Sequence, residues 1–167
     1  MDCDKRYIGE LPIEVRGEED IVKKRWLLLL FAVVFLFADI AANTPERRAT
    51  RFYNKNETEL NQIIERYIEE DVLSYSHDLG TVSVDMDDVH VNAWNGEHLM
   101  VEFFLFSPMG KYCGIYWSAD DVPLAFQNTE EQIIEVEENR WEWQGYGDNH
   151  GMTTKIEANW YYFEARF

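Results

Sequence analysis

Residues 89 to 106 read Val-His-Val-Asn-Ala-Trp-Asn-Gly-Glu-His-Leu-Met-Val-Glu-Phe-Phe-Leu-Phe. Asn95-Gly96, in the middle of this stretch, is a strong signal for a β-hairpin, because both residues of a tight hairpin turn adopt positive φ. The first arm, 89 to 94, alternates apolar and polar side chains. The second arm, 98 to 106, is apolar on both faces, which is typical of a central strand covered on both sides. The stretch therefore predicts an antiparallel sheet.

Strand-like patterns continue on both sides of this hairpin. Residues 82 to 86 have period two, and a change of parity at Asp87-Asp88 predicts a bulge or a tight turn before the first arm. Further strands are predicted at 111 to 118, 131 to 144 and 152 to 166. Thr129 and Gln132 are compatible with a helix cap, so a helix is the alternative for 131 to 144, but the aromatic end of that segment favours a strand. We predict a meander of about five strands.

A long amphipathic helix precedes the sheet. Asn56 and Glu59 form a capping-box pattern, and apolar residues then recur at helical spacing from Leu60 to Tyr75. The helix is predicted to pack on one face of the sheet and to leave the other face free. The chain is therefore expected to be an α+β protein. This element order resembles that of cystatin-like and nuclear-transport-factor-like domains, and no motif transfers a functional residue from either.

Residues 26 to 42 contain the longest apolar run of the chain, directly after Lys23-Lys24-Arg25. With about 1.5 Å of rise per residue, 17 residues lie near the lower limit for a helix that spans a bilayer of about 30 Å. We predict a single transmembrane helix with a cytoplasmic N-terminus, because basic residues stay inside. A cleaved secretory signal, which would leave a secreted protein, is the alternative. The predicted segments are a cytoplasmic tail (1–25), an anchor (26–42), a basic juxtamembrane linker (43–55) and an extracytoplasmic domain (56–167).

The net charge of −17 comes from the C-terminal part of the chain. Residues 57 to 167 contain 23 acidic and five basic side chains. Such a charge repels nucleic-acid phosphates, so we expect no nucleic-acid partner. An anchor would separate the two cysteines, Cys3 and Cys113, so no internal disulfide is expected.

Histidine and aspartate patterns do not predict a metal site. A two-residue turn pairs Ala93 with His98, which places His90 and His98 on opposite faces of the sheet. Residues 85 to 88 resemble the start of a calcium-binding loop, but His90 occupies the position of the required glycine and Gly96 that of the closing glutamate. We predict neither a metal nor a cofactor.

Two features remain as candidate sites. Glu102 is a carboxylate in the most apolar strand, where burial without a partner would raise its pKa, and it is the candidate general acid if the protein is an enzyme. The alternative, which is favoured, is a structural partner or exposure at the end of the strand. The abundant aromatic residues near the C-terminus suggest a surface for a protein or carbohydrate partner. Its candidate residues are Trp94, Tyr116, Trp117, Trp141, Trp143 and Trp160.

We expect a membrane-anchored binding or interaction domain without catalytic activity. The first alternative is an enzyme or small-ligand receptor that uses the concave face of the sheet. The second alternative is a structural module that forms a homodimer through the free edge of the last strand.

Overall fold

The computed structural model describes residues 16–75 and 77–167, without the side chains of residues 16–22 and 37–41. The chain divides into two compact units between residues 42 and 43. The first contains α1, Arg16–Ala42, and the second contains α2, Pro45–Glu69, and eight strands. The strands are β1 Asp78–Val84, β2 Asp87–Asn95, β3 Leu99–Phe106, β4 Lys111–Ser118, β5 Ile133–Glu137, β6 Arg140–Gln144, β7 His150–Glu157 and β8 Trp160–Arg166.

Helix α1 extends beyond the predicted anchor into the predicted tail. Residues 16 to 25 of the tail form the first turns of α1, and residues 1–15 of the tail lie outside the described residues. Within the described part of the chain, no helix combines the length and apolar character needed to cross a membrane. The predicted anchor includes residues 37 to 41, whose side chains lie outside the described set.

Helix α2 begins eleven residues before the predicted start at Asn56. Thr44 is the N-cap, its Oγ1 accepts a hydrogen bond from the backbone N–H of Arg47 at 3.4 Å, and Pro45 occupies the first turn. Pro is favoured there because its missing N–H has no helical partner in that position. The predicted linker is therefore helical from Pro45 onward. Asn56 lies buried inside the helix, where its Nδ2 donates to the carbonyl of Phe52 at 3.0 Å.

The α+β class and the antiparallel sheet are confirmed, but the prediction of about five strands was wrong, because the sheet has eight. Three of the predicted strand regions contain tight turns. Asp85 and Met86, both with positive φ, form the connection between β1 and β2. The predicted change of parity in this region is therefore a tight turn and not a bulge. Asn139 and Asn159, also with positive φ, divide the segments 131 to 144 and 152 to 166 into hairpins. Asn tolerates this left-handed conformation better than most residues, which explains the turns.

The strand order is β1-β2-β3-β4-β8-β7-β6-β5, and all neighbours are antiparallel. Two four-stranded meanders therefore meet where β4 pairs with β8. The segment 119 to 132, here called the strap, connects β4 to β5 at the opposite edge of the sheet. The last strand, β8, has partners on both sides, so the expected free edge of the last strand was wrong, whereas a homodimer stays an untested prediction. The edges of the sheet are β1 and β5.

Each face of the sheet has its own core. On the helix face, Leu60, Ile63 and Ile64 of α2 pack with Val91 and Phe103. On the other face, here called the strap face, Leu124 and Phe126 of the strap pack with sheet residues. The face that was expected to be free is therefore covered at its centre. The sheet residues of this second core are Met100, Tyr116, Trp143, Tyr161, Phe163 and Ala165.

The central hairpin has a different register from the prediction. Ala93 pairs with Val101 rather than with His98, because the loop contains three residues, 96 to 98. Asn128 of the strap supports this longer loop, since its Nδ2 donates to the carbonyl of His98 at 2.6 Å. His98 lies in the loop, and its Nδ1 is 2.8 Å from Asp120 Oδ2.

Candidate functional site

The six aromatic candidates are divided between the two faces of the sheet. Trp117 and Trp160 belong to the helix-face core. Trp160 is buried there, its ring centroid is 5.4 Å from that of Tyr53, and its Nε1 donates to Asn61 Oδ1 at 3.0 Å. These contacts are those of a core residue that holds α2 on the sheet.

The other four candidates, Trp94, Tyr116, Trp141 and Trp143, belong to the strap-face core. Tyr116 is fully buried and stacks on Tyr161 with ring centroids 5.1 Å apart. Its hydroxyl accepts the N–H of Leu124 at 2.8 Å and lies 2.8 Å from Thr153 Oγ1. Burial raises the pKa of this hydroxyl far above its usual range. Tyr116 therefore attaches the strap to the sheet, and the six aromatic residues do not form one surface.

Two glycines make room for the rings on the strap face. A Cβ at Gly114 would lie 2.2 Å from the backbone carbonyl oxygen of Phe103 and 2.6 Å from the ring of Phe163. A Cβ at Gly151 would lie 2.4 Å from the backbone carbonyl oxygen of Glu164 and 2.5 Å from the ring of Trp143. These distances are too short for any other residue unless the backbone and the ring move. The rings of Phe163 and Trp143 thus pack against glycines of neighbouring strands.

Glu102 lies on the strap face, beside Tyr116 of β4 in the ladder, and is 2% exposed. Loss of hydration raises the pKa of its carboxyl from 4.5 to about 8, while a hydrogen bond from the backbone N–H of Gln127 acts in the opposite direction. Its Oε2 has no hydrogen-bond partner among the described residues. Glu102 can hold a proton at neutral pH, but the strap separates it from solvent.

Hydrogen bonds hold the first residues of the strap on the sheet. Asp121 accepts hydrogen bonds from Lys155 Nζ at 2.7 and 2.9 Å, from the N–H of Asn159 at 2.8 Å and from the hydroxyl of Tyr161 at 3.0 Å. The bond from Lys155 is the main cause of the lowered pKa of Asp121. The strap is therefore held by Asp121 near its beginning and by Gln127 and Asn128 near its end.

An open groove lies on the helix face, toward the β5 edge of the sheet. Helix α2 packs mainly on β1, β4 and β8, whereas the groove extends over β5, β6 and β7 and has a volume of about 530 Å³. Ile134 and Val136 of β5 contribute apolar surface and are 56% and 46% exposed. Polar side chains surround them, among them Glu142, Gln144, His150 and Arg166.

Charges around the groove are mainly negative. Residues 130 to 138, which include β5, contain five glutamates and no basic residue. Glu164 on the groove wall pairs with Lys111, and Arg140 of β6 lies 3.9 Å from Glu46 of α2. The segment 130 to 138 as a whole is therefore strongly acidic, with Glu135 and Glu137 on β5 itself and Arg140 opposite Glu137 in the ladder.

Ile134 and Val136 lie in the segment 131 to 144, which was predicted to be a strand. Their alternation with Glu135 and Glu137 in a segment rich in acids was a signal for an edge strand with one apolar face. That signal does not reveal that the helix stops short of β5, since only the strand order places β5 at the far edge.

Within the described residues, no group of three or more His, Cys, Asp or Glu side chains is arranged to hold a metal ion. No protein-family model, curated protein or solved structure matches this chain.

Proposed function

We propose that this protein is a single-pass membrane protein whose acidic C-terminal domain lies outside the cytoplasm and binds a protein partner in the groove over β5, β6 and β7. Residues 26 to 42 serve as the anchor and the N-terminus is cytoplasmic. The single observation that carries the binding function is the exposed apolar pair Ile134 and Val136 in the lining of this groove.

The character of α1 supports the anchor. Side chains 26 to 36 are exposed on all sides of the helix and are all apolar. A helix that is apolar all round is normally covered by protein or by lipid. Three basic residues directly precede this segment, which favours retention of that end in the cytoplasm.

The groove supports binding by the composition of its lining. Ligand sites combine apolar surface with a few polar groups that fix orientation, and this groove has both. Its volume lies within the range of about 300 to 1,000 Å³ for ligand pockets. An exposed pair of β-branched residues at a sheet edge loses unfavourable contact with water when a partner covers it.

Topology can be tested with an impermeant thiol reagent on intact cells. Cys113 is fully buried and its pKa is raised by burial, so it is unreactive in the folded protein and serves as an internal control. We expect Tyr146→Cys, at a position 95% exposed, to be labelled in a Cys3→Ser background. Cys3 of the wild type should be labelled only after permeabilisation. Labelling of Cys3 in intact cells would contradict the orientation, and a product that lacks residues 1 to 42 would support a cleaved signal.

Binding in the groove can be tested by photo-crosslinking of the full chain in cells. We expect the photoreactive residue p-benzoylphenylalanine at position 134 to give a discrete adduct. The control position is 109, where Met109 is fully exposed outside the groove. Binding in the groove would be contradicted if position 134 gave no adduct, or if positions 134 and 109 gave the same adduct.

A further inference from the structure

The outer side of β5 is an unpaired sheet edge within the described residues, because the strand order ends there. An edge strand presents a row of backbone N–H and C=O groups that another extended chain can pair with. The groove is directly beside this edge, since Ile134 and Val136 belong both to β5 and to the groove lining. A strand added to this edge would therefore extend the sheet beside the groove, with one row of its side chains next to Ile134 and Val136.

The other edge, β1, is less suited to pairing. Its register with β2 shifts between Asp78 and Gly80, and Gly80 has a φ of +79°. Such irregularities twist an edge away from a new partner. β5 also has a shift, between Glu135 and Glu137, but its exposed apolar pair adds a hydrophobic contribution that β1 lacks.

The charge of β5 and its flanking residues indicates which kind of partner can pair with this strand. Five glutamates lie within residues 130 to 138, and Glu135 and Glu137 are exposed on the strand itself. Opposite charges across neighbouring strands stabilise pairing, and like charges weaken it. A second copy of this chain would place acidic β5 strands side by side, so the complementary partner carries Lys or Arg.

We propose that the partner enters as an extended basic segment that adds to β5 as a ninth strand, with alternate apolar side chains beside Ile134 and Val136 at the rim of the groove and Lys or Arg side chains beside the glutamates. This inference rests on the proposed function, because it names the partner class of the same groove. Backbone pairing supplies affinity, and the alternation of apolar and basic residues supplies selectivity.

The test uses the full chain in detergent micelles and the fluorescein-labelled peptide Lys-Val-Lys-Val-Lys-Val-Lys with blocked ends. We expect saturable binding by fluorescence anisotropy. Two further peptides carry N-methyl groups, one on all Val amides and the other on all Lys amides. Only one set of amides faces β5 in an added strand, so one methylated peptide should lose binding and the other should keep it.

Charge reversal gives a matched pair of variants. We expect Glu135→Lys with Glu137→Lys to weaken binding roughly tenfold, as two cross-strand charge pairs become repulsive. The control, Glu59→Lys with Glu65→Lys on the exposed side of α2, changes the net charge equally and should bind as the wild type does. Circular dichroism checks that both variants are folded.

Equal binding of both methylated peptides, or equal loss in both charge variants, would indicate adsorption by charge alone and would overturn strand addition. Absence of binding by the parent peptide would overturn the basic partner. If the crosslinked adduct at position 134 persists in either case, the proposed function stands and this inference fails. If that adduct is absent, the proposed function itself fails.

Discussion

Glu102→Gln is the perturbation that tests the strap-face core most directly. The folded protein keeps this carboxyl neutral because it is buried under the strap, with a pKa of about 8 against an ordinary value of 4.5. The unfolded chain exposes the same carboxyl to water and ionises it at much lower pH. Gln has nearly the same shape and carries no titratable proton, so the variant removes this difference between the two states.

The magnitude follows from proton linkage. Between pH 4.5 and about 8 the unfolded state has lost the proton and the folded state retains it, so the wild type loses stability as the pH rises. The loss is about 1.4 kcal/mol per pH unit, or roughly 3 kcal/mol at pH 7, and it is absent below pH 4.5. A Gln amide that lacks a partner costs about 1–3 kcal/mol at every pH, so the diagnostic quantity is the slope with pH rather than the absolute stability.

The assay is urea unfolding of the full chain in nonionic detergent, followed by tryptophan fluorescence at several values between pH 4 and pH 8. The stability of Glu102→Gln relative to the wild type should rise steadily across this range. Glu97→Gln, which removes an exposed carboxyl near the same sheet, is the control and should follow the wild type. A constant difference between Glu102→Gln and the wild type at all pH values would refute the reasoning, because Glu102 would then be ionised in the folded protein.

Two further variants test how the strap and the rings are held. Tyr116→Phe leaves the N–H of Leu124 without its acceptor, and we expect a loss of about 1–3 kcal/mol in the free energy of unfolding. Tyr146→Phe, in an exposed loop, should change nothing by the same urea assay, and equal stability of the two variants would contradict the role of the buried hydroxyl. Gly114→Ala places a methyl group against the backbone carbonyl oxygen of Phe103 and the ring of Phe163, and should cost about 1–3 kcal/mol, as measured by thermal unfolding. An unchanged melting temperature would contradict the close packing around Gly114.

Local patterns were sufficient to predict the fold class and most of the secondary structure. The alternation in residues 89 to 94 and the apolar run to Phe106 indicated a central hairpin, and both strands are present. The start of α2 was missed because Asn56 and Glu59 match a cap even though they lie inside a helix. Thr44 and Pro45 are the actual start, and the choice between two possible caps depends on which residues the sheet buries.

The candidate sites, like the fold, could be predicted from the sequence only in part. Burial of Glu102 was predictable, because a carboxyl surrounded by apolar neighbours in a central strand has little access to water. The distribution of Trp94, Tyr116, Trp117, Trp141, Trp143 and Trp160 over two cores was not, since it depends on the register of every pair of strands.

The sequence by itself determined the class of the domain, the presence of the central antiparallel hairpin and the acidic character of residues 57 to 167, but not the turn, because Asn95 belongs to β2 and neither Asn95 nor Gly96 has positive φ. These properties depend on side-chain period, turn chemistry and charge, which act over a few residues. Only the tertiary structure decided that the strap crosses the sheet, that β8 is central and that β5 is a free edge beside an open groove. The physical reason is that strand order depends on which distant apolar faces are buried together, and local spacing contains no information about that choice.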